Sequence, residues 1–147
     1  TDIQLSVFCD ASLDPQLISG GIAVTFCPWL PGTHCQTLIE LAWNVSHMFD
    51  SNMGEALALS QCLQVVIIEI SRCRYTPAIA GKTIKVRIFN DSLSLLSYLK
   101  GTHSISENFK TLAGPVLDII NDQTRIIKLL GVPVDLQLHW IPGHQHS

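Results

Sequence analysis

Charge is what this sequence has least of: charged side chains make up 14% of it, and no basic surplus compensates, since the formal net charge is −3. General electrostatic attraction to nucleic acid is therefore excluded, and any such binding must come from a local patch or from metal ions. Long apolar runs are also missing. The most apolar stretches are broken by Gln64, Glu69, Asp118 and Asp122, short of the roughly 18 to 20 uninterrupted residues that a membrane span needs. We expect no membrane segment and no membrane partner. The N-terminus has neither the basic region nor the apolar run of a signal peptide. It enters an alternating pattern directly after Thr1 and Asp2 and lacks an initiator Met. With the stop at Ser147, this reads as a domain cut from a longer polypeptide, shortened at its C-terminus.

No C-x-x-C pair occurs among the five cysteines, Cys9, Cys27, Cys35, Cys62 and Cys73. The odd count and the missing pair argue against a disulfide framework and a zinc site, and favour a reduced intracellular setting, cytoplasm or nucleus. Under that reading the N-x-S matches at Asn44 and Asn90 are chance. What is present is apolar residue: 47% of 147, with a mean hydropathy of +0.31. That length supports one core and one domain, 1–147. So much apolar surface must be buried in the fold or against a partner.

Periodicity gives the order of elements. Ile3 to Phe8 alternates as a strand that delivers Asp10 at its end. Turns at Asp14–Gly20 and Pro28–Gly32 separate further strands at Gly21–Cys27 and Gln36–Val45. Apolar residues at helical spacing predict a helix from Gly54 to Arg74, with Asn52 as its N-cap. A fourth strand, Ile84 to Ile88, runs into Asn90 and Asp91. A short helix over Ser92–Lys100 closes at Gly101, and Ser104 with Glu107 has capping-box spacing for the next. Gly114 and Pro115 should interrupt it, and Pro115 suits the first turn of a third helix ending at Gly131. Val134–Trp140 is the last strand. The order β-β-β-α-β-α-α-α-β predicts an α/β fold, a mixed five-stranded sheet with helices on its faces.

Three carboxylates stand at transitions between elements. Taken singly, each has an ordinary structural role: Asp10 as a turn aspartate, Glu55 as the back-bonding partner of Asn52 in a capping box, Asp91 as an N-cap. Taken together, they lie at positions that a mixed sheet can bring to one edge. Three carboxylates there resist ionising together unless cations are present. Mg²⁺ or Mn²⁺, hard ions that prefer carboxylate oxygen, fit that set.

The residues that carry this pattern resemble the type-1 ribonuclease H family, including domains attached to the reverse transcriptases of retroelements. The matching stretches are Phe8-Cys9-Asp10-Ala11-Ser12, Gly20-Gly21-Ile22-Ala23-Val24, Ser51-Asn52-Met53-Gly54-Glu55-Ala56-Leu57-Ala58, Ile88-Phe89-Asn90-Asp91-Ser92 and Leu138-His139-Trp140-Ile141-Pro142-Gly143-His144. They follow the family's order along nearly the whole chain. The resemblance implies an RNase H-like fold and hydrolysis of the RNA strand of an RNA/DNA hybrid with two Mg²⁺ ions, Mn²⁺ substituting. Asp10, Glu55 and Asp91 are then the metal ligands, with Asp10 bridging both ions, and His144 is the loop histidine of proton transfer or product release. Ser12, Ser51 and Asn52 contact the nucleic-acid backbone, although Ser51 stands where the family commonly has Asn. His139 and His146 have no matching role.

Two departures bear on activity. The family's fourth carboxylate, several residues past the loop histidine, would fall beyond Ser147. The basic helix and loop of some members are not evident either, since Gly101–Lys110 offers only His103 and Lys110, so hybrid binding is expected to involve a partner such as a reverse transcriptase domain. Two competing readings are a catalytically inactive docking module of the same fold and an integrase- or resolvase-like nuclease acting on DNA.

Overall fold

A computed structural model describes residues 3–14, 16, 19–29, 38–48, 51–92, 95, 99 and 107–141, without the side chains of Ser51 and of 107–113. Three antiparallel strands open the chain: β1 (Ile3–Asp14), β2 (Ser19–Phe26) and β3 (Ile39–Ser46). Helix α1 (Ser51–Cys73) crosses to β4 (Ile84–Asn90), which pairs parallel with β1. Helix α2 (Glu107–Lys128) then returns the chain to β5 (Val134–Trp140), parallel to β4. The sheet order is β3-β2-β1-β4-β5, the mixed five-stranded α/β arrangement expected from the element order.

Alternation explains which face is covered. Ile3, Leu5, Val7 and Cys9 of β1 are buried, as are Ile22, Val24 and Phe26 of β2 and Ile84, Val86, Ile88 and Asn90 of β4. Their registers, Val7 opposite Phe26 and beside Ile88, put them on one side of the sheet. Helix α1 covers that side with Ala56, Leu59, Cys62, Leu63, Val66 and Ile70. By length and composition α1 could cross a membrane, and 61% of that apolar stretch is buried inside this fold, with Ile68 left exposed. Helix α2 packs on α1 through Leu117, Ile120 and Ile127. Buried Gln123 ties the two helices, donating to the Ser60 carbonyl at 3.1 Å and accepting from the Ser60 hydroxyl at 3.1 Å.

Four expectations change. Strand β1 continues past Asp10 to Asp14, because the antiparallel ladder with β2 goes on from Asp10–Ala23 to Asp14–Ser19 after the parallel ladder with β4 stops at Phe8–Phe89. Helix α1 starts at Ser51, so Asn52 lies inside its first turn and is not its N-cap. Helix α2 runs unbroken through Gly114 and Pro115. An interior Pro forfeits one backbone bond and costs about 3 kcal/mol against Ala, and the apolar face buried on α1 offsets it. Fourthly, Cys27 is disulfide-bonded; Cys9, Cys62 and Cys73 are free thiols. An odd count and the absence of C-x-x-C do not exclude a single bridge, so the cysteines give no argument for a reducing compartment. Of the helix expected over Ser92–Lys100, Leu95 and Leu99 are helical and most of the remainder lies outside the described residues, as does Ser104.

Candidate metal centre

The site forms where β1 and β4, running parallel, pass the end of their shared ladder. Asp10 stands two residues beyond Phe8 and Asp91 two beyond Phe89, the last paired rung. Alternation turns Asp10 to the face away from α1, where it is exposed. Asp91 follows β4 directly and is half-buried. The third acid comes from the other side of the sheet: Glu55, in the second turn of α1, is buried.

Close packing brings that helix turn in. Gly54 approaches β1 so nearly that a Cβ there would lie 3.2 Å from the Ala11 Cβ and 2.7 Å from the Met48 Sδ. Met48 is itself fully buried, delivered by a left-handed His47 with φ of 61° just after β3. The Ala11 backbone N–H donates to Glu55 Oε1 at 3.1 Å and to Asp10 Oδ1 at 2.8 Å. Asn90 Nδ2 donates to Glu55 Oε2 at 3.0 Å. Glu55 therefore bonds across to the strands and not back to Asn52 in a capping box. From the far side, the Trp140 indole N–H donates to the Asp91 carbonyl at 3.1 Å.

One ligand oxygen from each of Asp10, Glu55 and Asp91 can be chosen so that all lie within 4.8 Å of one another. The electrostatic consequence falls on the buried member. Glu55 is pushed up to about 9 from 4.5, first by burial, then by its hydrogen bond with Asp91 and by the charges of Asp91, Asp10 and Cys9. In the metal-free protein Glu55 is thus a protonated acid near neutral pH. A divalent cation would reverse that balance by adding opposite charge where three carboxylates repel. An all-carboxylate donor set suits Mg²⁺ or Mn²⁺, and no described cysteine or histidine joins it.

The residues around the acids differ in how well they match expectation. Ser12 is exposed on β1 beside Asp10, and Asn52 is exposed on the first turn of α1. Ser51 begins α1, but its side chain lies outside the described residues, as does the whole of His144. Two hollows of about 250 Å³ each meet at Asp10. One is lined by Phe8, Thr25, Asp91 and Ile141, the other by Ser12, Gly21, Ala42 and Asn44. Beyond the first, Phe8, Phe89 and His139 stack across three strands, with centroids 4.7 and 5.2 Å apart.

Sequence reasoning missed the supports of the acids: Asn90, Trp140 and the Ala11 amide. A signal for Asn90 was present, since the alternation Ile84, Val86, Ile88 puts the next inward position at a polar residue. No sequence signal shows a backbone amide or an indole aimed at a carbonyl.

No family model matches the sequence, and no curated protein does. Among solved structures, the chain is similar to the N-terminal RNase H domain of rv2228c from Mycobacterium tuberculosis, determined as a fusion with maltose-binding protein. The TM-score is 0.56 at 12% sequence identity, covering 98% of this chain and 86% of that one. With the mixed sheet and the helix that brings Glu55 to its end, this likeness gives the chain an RNase H-like fold.

Proposed function

We propose that this domain is a divalent-metal-dependent endoribonuclease that hydrolyses the RNA strand of RNA/DNA hybrids, using two Mg²⁺ ions or Mn²⁺ in their place. The observation that carries the proposal is the convergence of Asp10, Glu55 and Asp91 from β1, α1 and the end of β4. Each could serve locally as a turn or capping residue, but an assembly that raises one member to about 9 costs stability without a cation. Such sites are where chemistry is concentrated.

Bound divalent ions supply Lewis-acid activation of a water and neutralise charge at the leaving 3′ oxygen of a phosphodiester. The chain's own residues do the rest. Asp10 lines both hollows and Asp91 one of them, so these two acids would face an incoming phosphate. Glu55 approaches from the core side, held at both oxygens, and Asp91 is steadied through its backbone by Trp140. The two hollows meeting at Asp10 suit an extended polymer better than an enclosed small molecule. Ser12 and Asn52 flank the acids as exposed hydrogen-bonding groups for backbone phosphates and 2′-hydroxyls, the groups that distinguish an RNA strand. His144 is assigned to proton transfer or product release, and Ser51 to a backbone contact. A His144→Ala variant with unchanged turnover would remove that part.

Cleavage of a labelled RNA/DNA hybrid in Mg²⁺ and Mn²⁺, beside duplex DNA, duplex RNA and an Asp10→Asn control, tests the proposal. Hybrid-only cleavage lost in the control supports it. Cutting of duplex DNA with equal efficiency would move the assignment to a DNA-acting nuclease of the same fold. No cleavage despite metal binding would leave two readings, a missing fourth carboxylate or a docking module, and the same assay on a chain extended past Ser147 chooses between them.

A further inference from the structure

Asn90 is fully buried, at the end of a run whose other inward positions are Ile84, Val86 and Ile88. Packing alone would be served at lower cost by another apolar side chain there, because a buried amide left unsatisfied costs about 1–3 kcal/mol. Both polar ends of the Asn90 side chain are used instead. Its Oδ1 accepts from the Ser92 backbone N–H at 2.7 Å, which fixes the orientation of the amide. The nitrogen then faces the site, donating to Glu55 Oε2 at 3.0 Å and to Cys9 Sγ at 3.3 Å. Its carbonyl accepts from Ile141 N–H at 3.0 Å.

We infer that Asn90 is a positioning residue for the metal centre, clamping Glu55 from α1 to the turn that carries Asp91; the inference rests on the metal-dependent reading above. Two features argue for this role over simple core satisfaction. Its contacts reach one ligand through the side chain and the residue after another ligand through the backbone, so a single amide sets the spacing between Glu55 and Asp91. Being neutral, it also orients Glu55 without cancelling the negative charge that attracts a cation, as a lysine or arginine at that point would. Once its proton is displaced, each Glu55 oxygen has one lone pair on its protein donor and another left for a metal.

Asn90→Thr and Asn90→Val make the test, since the two side chains share one shape and differ in a hydroxyl that can donate to Glu55. The readout is direct Mn²⁺ binding to the whole chain, followed by the loss of the free-ion signal in electron paramagnetic resonance. Thermal unfolding in chelator checks the fold. Loss of an outer hydrogen bond to a metal ligand typically costs 10- to 100-fold in affinity. We expect the Val variant to weaken Mn²⁺ binding by about that factor and the Thr variant to stay within about threefold of the parent. The metal needed for half-maximal cleavage should shift in the same ratio. Should Val unfold the chain, Asn90→Ser against Asn90→Ala carries the same comparison. Equal affinities in a folded pair overturn the inference and leave the metal site standing. Absence of Mn²⁺ binding by the parent chain overturns both.

Discussion

Asp10 on β1 and Asp91 just past the end of the parallel strand β4 occupy equivalent positions, each two residues past the rung where Phe8 meets Phe89. Parallel pairing therefore delivers two carboxylates to one end of the sheet, and the crossover through α1 supplies the third from beneath. None of the three lies within thirty positions of another in the chain, so the fold is what makes them a site. The predictions below follow from that construction.

Asp10→Asn keeps the shape of the side chain and removes a charge. Because Asp10 is exposed, the substitution should change stability in the absence of metal by no more than about 0.5 kcal/mol. Loss of a metal ligand should cost more than loss of an outer contact, so hybrid cleavage should fall by at least about a hundredfold. Side-by-side chemical denaturation and turnover measurements check both halves. A large drop in stability would mean that Asp10 serves the fold.

Glu55 makes the metal-free protein sensitive to pH in a defined direction. Its folded value, about 9, lies above the ordinary 4.5. Between those values the native state keeps a proton that the unfolded chain has released, so native protein binds more protons and stability falls as pH rises. The contribution is complete below the ordinary value and is lost as pH climbs through about 9. In chelator, the melting temperature should therefore decline from about pH 5 to about pH 9, and Glu55→Gln should flatten that decline. Mg²⁺ should bind more tightly as pH rises, because binding displaces the proton. A decline unchanged in Glu55→Gln would assign the pH dependence elsewhere.

The approach of the strands near the site makes Gly20 intolerant of a side chain. A Cβ there would lie 2.0 Å from the Ser12 carbonyl oxygen and 2.8 Å from the Met48 Sδ. The sulfur can move but the backbone oxygen cannot without opening the β1–β2 ladder. Gly20→Ala should destabilise the chain by about 1–3 kcal/mol, the usual cost of overpacking. Met48→Ala in the same chain should recover little of it, since the tighter clash is with backbone. Recovery of most of the loss in the double variant would make the thioether the real obstacle.

Much of this architecture was legible because the period of alternation is local. Ile84, Val86 and Ile88 mark β4, and Leu57, Cys62, Val65, Val66 and Ile70 mark α1, without knowledge of any partner. The three acids were legible as a set through the motifs around them, while their meeting depended on the register of β1 beside β4. What escaped was decided by tertiary contact. Strand β1 outruns its expected end because β2 remains available to pair with it, and Glu55 is taken out of a capping box by accepting from the Ala11 amide and Asn90. Asn90 stood in the sequence as a motif neighbour of Asp91 and as a chance N-x-S match, its contact with Glu55 being a matter of tertiary packing, and its burial removes it as a glycosylation acceptor.

Pro115 separates local preference from tertiary packing most directly. Sequence reasoning stops a helix at Gly114-Pro115, yet α2 continues through both. A proline nine positions into a helix cannot donate to the carbonyl four residues before it and crowds that carbonyl with its ring. Leu117, Ile120 and Ile127 then bury against α1, and Gln123 bonds to Ser60, so the helix is held by its face. Replacing Pro115 by Ala should restore the missing bond and stabilise the folded chain. The intrinsic gain of about 3 kcal/mol is reduced by about 0.4–1 kcal/mol because the unfolded chain regains freedom. A rise of about 2 kcal/mol in unfolding free energy, with the metal affinity of the site unchanged, is the expected result. A loss of stability in Pro115→Ala would mean that the ring packs usefully where it stands, and that α2 owes its continuity to the proline.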